Sequence, residues 1–230
     1  MPLLQPPKLR KAETAEYEIR ARKDRSFKTV LDAAKILDGC GRSIVTTTPM
    51  SGSRLEVSLE HELARGVIRE TCRFACGEGL TTLELDRSLH DGGAVPCREE
   101  RVDFTRGHLG LPDDLYPEVM LPFLLRAQPF DGERRAAHAW VVDRFVARIY
   151  FQSGKRRTTR VPAGTIDTVE VLMFPDLNDW IPLSGLVTRL AWPFLPKYRM
   201  WYEAAPPHRL VRFEGPYGPP GAPEIVLELT

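Results

Sequence analysis

The sequence is short of several things, and each shortage excludes a class of function. Only 4 of its 230 residues are Cys, too few for a disulfide-stapled miniprotein. It has 5 His: His61, His90, His108, His138 and His208. None stands at the short fixed spacing of zinc ligands, so each reads as a surface or packing residue and no metal is expected. Charge of one sign is also missing. Lys and Arg number 32 against 31 Asp and Glu, a net charge of +1, which removes the basic footprint of a general nucleic-acid binder. No stretch of about 18 apolar residues runs uninterrupted, so no transmembrane helix is expected. No apolar run of signal-peptide length follows Met1, where Pro2, Pro6 and Pro7 break the chain. There is no P-loop, no Gly-x-Ser-x-Gly and no dinucleotide glycine fingerprint, so no cofactor is read. Asp176, Asn178 and Asp179 begin like a calcium loop but lack its Gly and distal Glu, which leaves a turn.

What is present is a core and an alternation. Hydrophobic residues make up 43% and charged residues 27%, the balance of a globular chain. Apolar residues recur at period two, the signature of half-buried strands. Leu55, Val57 and Leu59 alternate with Glu56, Ser58 and Glu60. Gly66–Cys76 follows with Ile68, Cys72, Phe74 and Cys76 on one face, and Gly77 and Gly79 mark a turn. Leu83, Leu85 and Leu89 form the next strand, His90–Gly93 a hairpin turn, and Val95–Phe104 returns. Cys72 and Cys76, about 13 Å apart on one strand, cannot bridge each other. Either could face Cys97 across a hairpin, and the state of Cys40 is open.

The middle changes period. PDDLYPEVMLPFLLRAQPF, residues 112–130, predicts one or two short helices broken by Pro117 and Pro122. Ala139–Gln152 reads as one long strand, apolar on both faces and therefore central. Gly154 is expected to turn it into Lys155–Val161, and Pro162–Gly164 into Thr165–Phe174. Residues 176–196 form a second Pro-broken apolar segment. Tyr198–Glu203, Arg209–Glu214 and Pro223–Leu229 close the chain as strands. Earlier, Tyr17 and Ile19 begin a strand, Ser26 caps a helix over Phe27–Ala34, and Ser43–Thr48 forms another strand. About ten or eleven strands result.

So long an array rarely stays flat. The sequence predicts a mainly β single domain over 1–230, with 1–14 an extended or flexible N-terminal segment. Its core is a curved antiparallel sheet or incomplete barrel with two or three short helical lid segments. Lids over a concave face make an apolar pocket suited to a lipid-like ligand, although the same segments could simply plug a solid core. Phe123, Leu124, Trp140, Phe145, Trp192 and Trp201 are the candidate lining.

Asp143 falls among the apolar side chains of Val141, Phe145 and Ile149, where an unpaired carboxylate is costly. Arg199 and Arg212 are its candidate partners. Asp143 is also the candidate acid or base should the scaffold be an enzyme, and Glu170 invites the same question.

Three segments together resemble a family. VPAGTIDTVEVLMFPDL (161–177), KYRMWYEAAPPHRLVRFEG (197–215) with EIVLEL after it, and LYPEVMLPFLLRAQPFDG (115–132) are similar to the bacterial domain of unknown function 3108. The resemblance covers roughly residues 80–230. It implies a half-open antiparallel barrel like those of lipoprotein carriers, an acyl or other apolar ligand in its groove, and a place in the bacterial envelope or periplasm. It implies no catalytic residue. Three functional expectations follow. One is non-catalytic binding of a lipid or other apolar molecule. The second is a cyclase or isomerase of such a molecule that uses a cavity-facing carboxylate. The third is an envelope structural or protein-interaction module, marked by an exposed apolar patch.

Overall fold

The computed structural model describes residues 4, 7–22, 36–50, 54–77, 80–105, 112, 114–142, 145–176, 197–218 and 222–230. The side chains of 22, 74–77, 80–83, 104–105, 141–142 and 145 stand outside that description. Among the described residues are thirteen strands: β1 (Glu13–Arg22), β2 (Gly39–Pro49), β3 (Arg54–Leu63), β4 (Gly66–Gly77), β5 (Leu80–His90), β6 (Arg98–Thr105), β7 (Leu115–Pro117), β8 (Arg134–Val142), β9 (Phe145–Val161), β10 (Gly164–Pro175), β11 (Tyr198–Glu203), β12 (Leu210–Pro216) and β13 (Glu224–Leu229). They form one sheet in the order β6-β5-β4-β3-β2-β1-β13-β12-β11-β10-β9-β8-β7. Every neighbouring pair is antiparallel except β7 with β8.

The mainly β class, the open curved sheet and the meander over residues 54–105 are as the alternation predicts. Curvature shows in contacts between strands far apart in the sheet order. The Tyr217 hydroxyl, just past β12, donates to Glu70 of β4 at 2.6 Å. The Arg87 guanidinium of β5 lies 4.8 Å from the ring centre of Trp140 on β8.

The two faces follow from the alternation. In β3, Leu55, Val57, Leu59, His61 and Leu63 are buried while the residues between them are not. The buried phase continues through Val45, Tyr17, Ile19, Leu227 and Phe213, and all of these point to the concave side. The convex face carries cross-strand ion pairs: Arg42–Glu16, Arg69–Glu60, Arg73–Glu56, Arg157–Glu170 and Arg212–Glu228. Of the basic residues 25 are Arg and 7 are Lys, and the planar guanidinium suits such ladders.

The helical prediction for 112–130 resolves into a short insert. A 3-10 turn over Glu118–Met120, α1 (Leu121–Leu124) and a second 3-10 turn over Leu125–Ala127 run end to end. Pro122 sits in the first turn of α1, where its missing N–H loses nothing. The insert lies across the concave face. Met120, Leu121, Leu124 and Leu125 are at most 1% exposed. The Tyr202 hydroxyl donates to the Pro122 carbonyl at 2.6 Å. Arg126 pairs with Glu13 at 2.7 Å and donates to the Pro207 carbonyl at 2.9 Å.

Two expectations change. Ala139–Gln152 is not one strand. Val142 pairs with Phe145 across an antiparallel β8–β9 hairpin, so the chain reverses between them. No glycine marks that reversal. Gly154, read as a turn, lies inside the 17-residue β9. There the β9–β10 register shifts between Val169 and Val171, so this glycine marks a bulge. The helix expected over Phe27–Ala34, the turn at Gly79 and the segment 177–196 fall outside the described residues.

Candidate functional site

A partly open cavity of about 40 Å³ lies between the insert and the sheet. Leu59 and His61 of β3 form one wall, and Glu118, Val119, Pro122 and Phe123 of the insert form another. Met173, Tyr198, Leu210, Phe213, Ile225 and Leu227 of β10–β13 complete it, with Pro216, Tyr217 and Gly218 at the end of β12. By the measure in which one water needs about 10–15 Å³, this is room for about three waters.

Its polar groups come from four places and are all buried. His61 is 1% exposed and Glu118 8%. His61 Nδ1 shares a hydrogen bond of 2.8 Å with the Ser43 hydroxyl, and its ring meets Tyr217 edge-on at 5.6 Å. The Tyr198 hydroxyl donates to the Gly218 carbonyl at 2.8 Å. Behind this wall three charges form a row across β4, β5 and β6, because Glu70 is directly opposite Arg87 and Arg87 opposite Glu100. Arg87 lies 3.5 Å from Glu70 and 3.6 Å from Glu100.

Burial sets the protonation of these groups. Desolvation pushes the Glu118 carboxyl up to about 8; the nearby Tyr198 hydroxyl and Arg87 pull it down, and Glu70 pushes it further up. Glu118 is therefore mainly a neutral acid at pH 7. Burial pushes His61 down to about 4, so it is a neutral imidazole. The phenols of Tyr198 and Tyr217 are raised, first by burial and then by Glu118 and Glu70 respectively. The wall thus holds a carboxylic acid, an imidazole and two phenols, all uncharged. Such a site can bind a small apolar molecule and offer it one hydrogen bond, or move a proton to or from it. Among the described residues no three His, Cys, Asp or Glu gather as a metal site.

Of the sequence's candidates, Phe123 lines this cavity. Leu124, 0% exposed, packs into the core beside it. Trp140 sits under Arg87 at the back of the charged row. Trp201 lies on the other face of β11 from Tyr198, Met200 and Tyr202, and the guanidiniums of Arg157 and Arg212 stand 5.0 and 5.4 Å from its ring centre. The Phe145 side chain, Trp192 and Asp143 lie outside the described residues. Arg212 pairs with Glu214 and Glu228, and Arg199 stands 3.9 Å from Glu170. Glu170 itself is held by Arg157 at 3.1 Å, a structural ion pair on the convex face. Cys40, Cys72 and Cys97 are free thiols, so Cys72 does not bridge Cys97.

His61, Glu70 and Arg87 carried a signal in the sequence. Each stands in the apolar phase of its strand: His61 after Leu55, Val57 and Leu59, Glu70 between Ile68 and Cys72, and Arg87 between Leu85 and Leu89. Glu118 gave none, because the insert has no period against which a polar residue stands out.

No helix among the described residues is long and apolar enough to cross a membrane, which says nothing of spanning by strands. Their exposed large hydrophobic side chains are Met50 and Val95, on separate connections. Comparison of the chain with family models, with curated proteins and with solved structures finds no match in any of the three.

Proposed function

We propose that the protein binds a small apolar molecule on the concave face of its open sheet, beneath the 118–127 insert. The observation that carries this reading is the cavity itself. Protein interiors pack to crystal density, and a dry gap forfeits dispersion contacts. Here the gap is walled by apolar side chains and bordered by a few buried polar ones, which is the usual make-up of a ligand site. A cavity of about 40 Å³ is smaller than an acyl chain. A single ring already exceeds it, so any such ligand, a lipid of the kind the carrier-like family implies included, requires the insert to withdraw. The Tyr202–Pro122 and Arg126–Glu13 hydrogen bonds then have to open.

Titration with the apolar fluorophore 1-N-phenylnaphthylamine tests the reading. It predicts saturable binding, displaced by medium-chain apolar competitors and lost when Leu59→Trp or Met173→Trp fills the cavity. Absence of saturable binding, or binding indifferent to both substitutions, overturns it.

A second reading rests on the Glu118 carboxyl, whose position and raised proton affinity suit an acid catalyst acting on an apolar substrate. It predicts that the protein accelerates deuterium exchange beside the carbonyl of cyclohexanone and that Glu118→Gln abolishes the effect. No acceleration by the wild type removes it.

A further inference from the structure

We propose that the Glu118 carboxyl is the ligand's polar anchor and that the ligand class is a neutral alcohol: an apolar body with one hydroxyl. This rests on the binding function proposed above and names its ligand.

Around the cavity both phenol protons and one imidazole nitrogen are already engaged. The Tyr198 proton goes to the Gly218 carbonyl at 2.8 Å. The Tyr217 proton goes to Glu70 Oε1 at 2.6 Å. His61 Nδ1 is engaged with Ser43 at 2.8 Å. Glu118 is different. The residue is 8% exposed and lines the cavity, and its fully buried Oε2 has no hydrogen-bond partner. A buried polar atom left without a partner costs about 1–3 kcal/mol, which a ligand's donor recovers.

The kind of partner follows from the proton. Because Tyr198 gives its own proton to Gly218, a neutral Glu118 meets the Tyr198 oxygen as a donor. Oε2 is then the carbonyl-like acceptor of a residue in the cavity wall, and the group that satisfies it once the insert withdraws is an O–H. A hydroxyl also satisfies Oε2 if the acid's proton sits there instead, since a hydroxyl both donates and accepts. A ketone serves only the second arrangement. An ammonium requires Glu118 to ionise where burial disfavours the charge, beside Glu70 and within the field of Arg87. Of these three groups, the alcohol alone fits both proton positions without moving charge.

A matched ligand pair tests this: cyclohexanol and methylcyclohexane, of similar shape, titrated by NMR against the full chain with the Met173 methyl as reporter. In the wild type cyclohexanol binds about tenfold more tightly. The preference persists in Glu118→Gln, which keeps an acceptor oxygen. It falls to within about twofold in Glu118→Met, which keeps length and removes the oxygens, while methylcyclohexane binds Glu118→Met at least as well as the wild type. A preference that survives in Glu118→Met, or a wild type that binds both equally, overturns the anchor. Cyclohexylamine binding the wild type more tightly than cyclohexanol overturns the alcohol class. If neither member of the pair binds the wild type, the failure belongs to the binding function and not to its anchor.

Discussion

Replacing Glu118 by Gln is predicted to make the protein more stable, by an amount that grows with pH. The folded chain holds the Glu118 proton up to a pH of about 8, against 4.5 for the exposed group. Above 4.5 the unfolded chain releases that proton and the folded one does not, so unfolding is increasingly favoured as pH rises from 4.5 to 8. At about 1.4 kcal/mol per unit, the difference reaches about 3 kcal/mol at pH 7 and about 5 kcal/mol above pH 8. At pH 4 it vanishes. His61 acts in the opposite sense. Its folded value of about 4 lies below the ordinary 6.5, so the unfolded chain gains a proton as pH falls from 6.5 to 4 and stability falls with it. The two limbs oppose each other between 4.5 and 6.5. For that reason the wild-type profile alone is ambiguous, and the difference between Glu118→Gln and wild type is the quantity to read. Urea unfolding of both proteins at pH 4, 7 and 9 gives it directly. Equal stabilities at all three pH values would refute the reasoning, as would a variant less stable at pH 9.

Three further predictions concern the ground around the cavity. Tyr217→Phe removes the donor to Glu70 Oε1 (2.6 Å) from a carboxylate that is 1% exposed, and urea unfolding should show a loss of about 2 kcal/mol. Arg87→Met leaves Glu70 and Glu100 without their shared cation, and the same assay should show a larger loss of about 3–5 kcal/mol. Cys72 is buried and its thiol is pushed up by that burial, while Cys40 and Cys97 are exposed. Peptide-resolved alkylation should therefore label Cys40 and Cys97 in the native protein, and Cys72 only after unfolding.

The sheet was legible because its strands are amphipathic at period two, and local alternation survives folding unchanged. β4, β11, β12 and β13 fall within a residue or two of where the apolar phase places them. The hairpin between Val142 and Phe145 was illegible because the two residues between them in the sequence, Asp143 and Arg144, include no glycine or proline and apolar runs flank them on both sides. Gly154 misled for the converse reason: a glycine inside a strand marks a bulge as readily as a turn. Within the site, His61, Glu70 and Arg87 were detectable as polar residues in apolar phase, the same logic that singled out Asp143. Trp201 shows the limit of that logic. An aromatic residue does not have to face the core, and this one is buried on the convex side beneath arginines. Glu118 depends on where an irregular insert crosses a curved sheet, and no local pattern carries that information.

The central claim is that the gap beneath the insert takes up a small apolar molecule. It is tested most directly by carbon-13 methyl NMR on methionine-labelled protein during titration with cyclohexanol. Met173 lines the cavity, while Met50, 37% exposed, lies outside the cavity wall. The account predicts a saturable shift of the Met173 methyl with Met50 unmoved. A Met173 signal that stays fixed, or that moves only as Met50 does, contradicts it.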